Sequence, residues 1–160
     1  MSYPQEQTYS TPTGGEPPLW APFYGAGPIQ AVKRFFRKYA TFSGRASRSE
    51  YWWWILAQFV ITIAFLALYL VLGFVGSTIE DGRTVPGPGL FAGAALMLLW
   101  LLAIIVPGIA LVVRRLHDVN LSGWLALVLL VPGVGGLLVL IFSLLPPSPD
   151  GQRFDRPAVA

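Results

Sequence analysis

The chain has 160 residues, of which 54% are hydrophobic and only 12% charged, with a formal net charge of +3, one histidine and no cysteine. That balance lies outside the habit of soluble globular domains and indicates a membrane protein. The missing thiols exclude disulfides, thiolate metal sites and cysteine nucleophiles, and the basic balance does not point to nucleic acid, because Lys and Arg flank apolar runs instead of gathering on a solvated face.

The opening MSYPQEQTYS has neither a positive n-region nor an apolar stretch, so no cleavable secretory signal is expected and the first span acts as its own insertion signal. Residues 1–28 hold Pro4, Pro12, Pro17, Pro18, Pro22 and Pro28, too little apolar surface to offset ordering entropy, and are predicted to be a disordered cytoplasmic tail. Trp20, Phe23 and Tyr24 then read as aromatics scattered in a solvated tail, with contact to a partner or the bilayer surface as the alternative. Over residues 29–42, Ile29, Val32, Phe35, Phe36, Tyr39 and Phe42 fall on one side of a helical wheel and Lys33, Arg34, Arg37 and Lys38 on the other. This predicts a basic amphipathic helix lying in the membrane interface, its cations toward anionic headgroups.

A transmembrane domain is predicted over residues 43–146. Three apolar runs, at about 51–75, 90–113 and 124–145, each meet the requirement of about 20 residues for crossing a hydrocarbon core about 30 Å thick. Tyr51, Trp52, Trp53 and Trp124 stand at run ends, where amphipathic rings anchor at headgroup level. Pro107 is placed to kink the second run, and Pro132 with Gly133, Gly135 and Gly136 breaks the third at its midpoint. A kinked third crossing is the favoured reading; a re-entrant hairpin, tolerated only where its freed backbone is buried in protein, is the alternative. Residues 147–160 read as a short polar tail, outside the cell for three crossings and back inside for the hairpin. Lys33, Arg34, Arg37, Lys38, Arg45 and Arg48 precede the first run, whereas the next connector carries only Arg83, which predicts a cytoplasmic N-terminus.

Two short segments carry most of the chain's polar chemistry. In the first, FSGRASRSEYW from Phe42 to Trp52, Ser47 and Glu50 have the S-x-x-E spacing of a capping box ahead of the first span. In the second, RRLHD from Arg114 to Asp118, the three charges Arg114, Arg115 and Asp118 at mid-bilayer, at about 2.5 to 3.5 kcal/mol each, would together cost at least as much as the whole apolar run gains, so the cluster belongs at the interface. If the spans pack, Arg45, Arg48 and Glu50 meet Arg114, Arg115, His117 and Asp118 on the inner face. The expected pairs are Glu50 with Arg114 or Arg115 and Asp118 with Arg45 or Arg48, with surplus cations facing anionic lipid.

These two segments, followed by SGW from Ser122 to Trp124, are similar in order and spacing to the signature of the YhaH-like proteins, small bacterial inner-membrane proteins of a domain-of-unknown-function family. The resemblance runs from about Phe35 to Pro157 and includes a proline in the third run, here Pro132. The family's tail usually reads Asn-Arg-Phe-Gly, where this chain has Gln152, Arg153, Phe154 and Asp155. What the resemblance implies is a location and an architecture, not an activity.

The expected fold is therefore all-α and polytopic, without a cofactor. Three helices enclose little interior, which favours a homo-oligomer or a larger membrane partner. The leading functional expectation is a non-enzymatic accessory, scaffold or regulatory protein of the bacterial inner membrane whose charge cluster contacts anionic lipid or a partner. One alternative is an oligomeric channel or small transporter, against which stands the lack of charged residues inside the runs. A second is an enzyme on lipid headgroups, with His117 as acid or base beside Asp118.

Overall fold

The computed structural model describes residues 16–155. Helix α1, Pro28–Arg37, lies against the start of α2, Arg48–Phe74. The capping box forms: the Ser47 hydroxyl accepts from the Glu50 N–H at 3.2 Å, and Glu50 Oε2 accepts from the Ser47 N–H at 3.0 Å. At 1.5 Å per residue the 27 residues of α2 reach about 40 Å.

A tight hairpin returns the chain. Strands β1, Thr78–Glu80, and β2, Arg83–Val85, pair antiparallel with Glu80 opposite Arg83. They are joined at Asp81 (φ 49°) and Gly82 (φ 73°), the left-handed pair that a two-residue turn demands. The all-α expectation thus meets one exception, and the Asp-Gly dipeptide is its cause.

Helix α3, Gly89–Asp118, runs back along α2 for 30 residues, about 45 Å. Gly89 and Gly93 bring the two backbones together, since a Cβ at Gly89 would lie 2.2 Å from the Leu72 carbonyl oxygen and one at Gly93 3.0 Å from the Tyr69 Cα. Helical structure continues without interruption through Pro107 and five residues past the predicted end at Val113, so RRLHD closes α3. Asn120 (φ 60°) then ends the helix: its N–H bonds the His117 carbonyl and the Leu121 N–H reaches the Leu116 carbonyl, the paired bonds of a left-handed C-terminal cap. These two helices are long and apolar enough to cross a membrane, and in their most apolar stretches no residue of α2 and 17% of those of α3 are buried within the chain.

The third apolar run forms no single helix long enough to cross. A 3₁₀ helix, Gly123–Leu130, and helix α4, Gly135–Leu144, each rise about 15 Å, half of a hydrocarbon core. Gly133 (φ 78°) makes the reversal between them, and Gly135 lets the halves touch, its missing Cβ falling 2.1 Å from the Val128 carbonyl oxygen. The run begins beside His117 and finishes with the Ser148 N–H on the Asp118 carbonyl at 2.8 Å. Both ends therefore meet the C-terminus of α3, the re-entrant arrangement in place of the favoured kinked crossing. A 3₁₀ turn, Pro149–Phe154, closes the described chain over the same end.

Two further expectations change. The stretch from Glu16 to Gly27, expected as disordered tail, packs over the start of α2, with Ala21 and Ala26 buried; residues 1–15 lie outside the described residues. Helix α1 turns Arg34 and Phe35 into the protein, with Lys38 just beyond its end also buried, and leaves Ile29 and Phe36 exposed. It is thus docked on α2, where Phe35 stacks on Trp54 at 3.4 Å between ring centroids.

Candidate functional site

Apolar side chains cover the outside of this molecule, and its most deeply buried large side chains are cationic: Arg34 and Arg114 are each 1% exposed, and Asp118 is fully buried. The polar end divides around two carboxylates, set by the first turn of α2 and the last of α3.

Glu50 is the first hub. Its Oε1 accepts from Arg34 Nε at 2.6 Å and Lys38 Nζ at 3.4 Å, while Oε2 accepts from the backbone N–H groups of Phe23 and Ser47 at 3.1 and 3.0 Å. Arg34 spends its remaining donors on the carbonyls of Pro17, Pro18 and Ala21, stapling the N-terminal stretch down. Four donors on one carboxylate are enough to offset its desolvation. The expected pairing with Arg114 or Arg115 does not form. Arg114 lies alongside, its Nε on the Ala110 carbonyl at 3.1 Å and its Nη2 without a partner among the described residues.

Asp118 is the second hub. It accepts from Arg115 one turn earlier and from the Tyr24 hydroxyl at 2.8 Å, with Arg45 Nη1 3.8 Å away. Arg45 itself grips Asp155 in a two-pronged pair, Nε at 3.0 Å and Nη2 at 2.7 Å, so one of the two residues at which the tail departs from the YhaH-like pattern supplies its counter-ion. Arg115 also donates to the carbonyls of Ser143 and Leu145, and Arg48 to those of Leu144 and Leu145. These bonds satisfy carbonyls at the C-terminus of α4, the kind of freed backbone a re-entrant segment must bury in protein. Of the expected partners for Asp118, Arg45 is near and Arg48 is used elsewhere.

His117 does not face Asp118. Its Nδ1 donates to the Gly44 carbonyl at 3.0 Å, and its ring stacks on Phe154 at 4.0 Å. The dyad required by the lipid-enzyme alternative is therefore not assembled, and both carboxylates are occupied by donors.

Burial draws Lys38 down from 10.5 to about 8, opposed by the Glu50 carboxylate. Burial and then the Asp118 carboxylate push the Tyr24 hydroxyl above its usual range. Arg45 feels burial first, which lowers it, but the hydrogen bonds and charge of Asp155 carry it upward.

Of the expected interface anchors, Trp53 and Trp124 are exposed and Trp52 is half-buried. Tyr51 is a core residue, packed with Phe35, Ala46, Trp54 and Leu111. Tyr24, Arg34, Lys38 and Asp155 were missed as members of the cluster. The i, i+4 spacing of Arg34 and Lys38 was the available signal, since it puts both cations on one face that a single carboxylate can serve.

Two apolar helices with little apolar burial, joined at one end to a buried ionic platform, define a helical membrane protein. The chain belongs to the family described as protein of unknown function (DUF805), whose model matches residues 39–156. It is 31% identical over 121 residues to inner membrane protein YhaH of Escherichia coli K12, covering 76% of this chain and 89% of that one. It is 36% identical over 106 residues to inner membrane protein YhaI of the same organism, covering 66% and 75%. No solved structure matches it. These similarities support the inner membrane as its location.

Proposed function

We propose that the chain is a non-enzymatic accessory protein of the bacterial inner membrane, a scaffold or regulator, multi-pass with its N-terminus and ionic platform on the cytoplasmic side. One observation carries this reading: the buried charges are spent on tying segments together. Arg34 clamps the N-terminal stretch, Arg115 and Arg48 hold the re-entrant hairpin, and Arg45 holds the tail. Such a platform is rigid and presents Lys33, Arg37, Arg48 and Arg153 on its exposed surface, cations suited to anionic headgroups or an acidic partner. The opposite end carries Arg83 with Glu80 and Asp81 in its hairpin, so the charge asymmetry favours the platform inside. The broad exposed apolar faces of α2 and α3 suit a second copy or a larger membrane protein.

In-cell cross-linking followed by capture of the full chain in mild detergent tests the proposal. A discrete membrane partner or homo-oligomer, weakened by Arg37→Glu, is expected. Solute or ion flux in liposomes holding this protein alone would favour the channel alternative instead.

A further inference from the structure

Between α3 and the re-entrant hairpin lies a cleft of about 510 Å³, within the range of about 300–1,000 Å³ typical of small-molecule sites. Ile109 and Val113 form one wall, and Ala126, Leu127 and Leu130 the other. Leu127 and Leu130 are exposed, so the cleft is continuous with the apolar outer surface.

Its other end is polar. His117 and Ser122 line it, and Phe154 closes it. Because Nδ1–H of His117 is committed to the Gly44 carbonyl, the neutral ring leaves Nε2 as an acceptor, and that atom has no hydrogen-bond partner among the described residues. His117 is 9% exposed and lines the cleft, with Nε2 on the side of Gly123, where a Cβ would come within 2.9 Å of it. Beside it the Arg153 guanidinium sits 4.7 Å from the Phe154 ring, fixed by a 3.4 Å bond to the Asn120 carbonyl and otherwise exposed.

An apolar slot open toward lipid, ending at an unused acceptor and a cation, has the polarity of an amphiphile. We infer that this cleft is a specific lipid site: it takes an acyl chain of an anionic phospholipid with a hydroxylated headgroup, the phosphate meeting Arg153 and a hydroxyl donating to His117 Nε2. Arg153 supplies the charge complement, and His117 separates a hydroxylated headgroup from one without donors. The inference rests on the placement of this end at the anionic inner leaflet, which side-specific labelling checks independently. A failure of lipid binding in a correctly oriented chain therefore falls on the cleft alone.

The test uses the full chain in mild detergent with equimolar photoactivatable phosphatidylglycerol bearing its reactive group on the acyl chain, read by mass spectrometry. One adduct per chain is expected, on peptides covering residues 109–130, with loading reduced about fivefold by Arg153→Gln and by a phosphatidylcholine analogue. Arg153 is exposed, so that variant retains the fold. Adducts spread over α2, equal loading by phosphatidylcholine, or an Arg153→Gln variant that loads like the parent would each overturn the assignment.

Discussion

Glu50 decides more of this structure than any other side chain, because it caps α2, anchors α1 through Arg34 and Lys38, and receives the N-terminal stretch at Phe23. Removing one member of a buried ion pair leaves the other uncompensated, at a cost of about 3 to 5 kcal/mol. Glu50→Gln is expected to lower thermal stability in detergent by that order, and an unchanged melting temperature would show the hub to be idle. Lys38 gives a pH signature. Its folded value of about 8 lies below its ordinary 10.5, so the folded chain sheds this proton first and stability rises with pH between those values. Melting temperatures measured across that window are expected to climb, and the Lys38 contribution to the climb to vanish in Lys38→Met. The capping role of Glu50 was legible from its spacing to Ser47. Its pairing with Arg34 was not, because a helical wheel assigns cations to the lipid side whenever the carboxylate that claims them lies outside the helix being read.

The third apolar run shows how an element's length can mislead. Its 22 residues suffice for a crossing by length alone, yet the chain reverses at Pro132–Gly135. The break was legible, whereas the choice between kink and reversal depended on Arg48 and Arg115, far away in sequence, offering donors to the carbonyls at the end of α4. A side chain at Gly135 would collide with the Val128 carbonyl, while Gly136 faces open space. Gly135→Val is therefore expected to lose about 1 to 3 kcal/mol or more, and Gly136→Val much less. Equal melting temperatures for the two variants would refute the hairpin packing. The Asp81-Gly82 turn and the Asn120 cap carried readable local signals as well, but both sat in stretches treated only as connectors between apolar runs.

Taken whole, the molecule inverts the usual distribution of a folded chain: apolar residues cover the outside of two long helices, and cations are buried at one end. Lipid explains the first feature, and the need to close a re-entrant segment and an N-terminal strap over the helix ends explains the second. The central claim is that the chain crosses twice, so that Asp150 lies on the same side as Lys33 while Asp81 lies opposite. Because the natural chain has no cysteine, single cysteines at these three positions can be labelled in intact cells without background. The account predicts that a membrane-impermeant maleimide reaches Asp81→Cys alone and that Lys33→Cys and Asp150→Cys react only after the membrane is opened; labelling of Asp150→Cys from outside would contradict it.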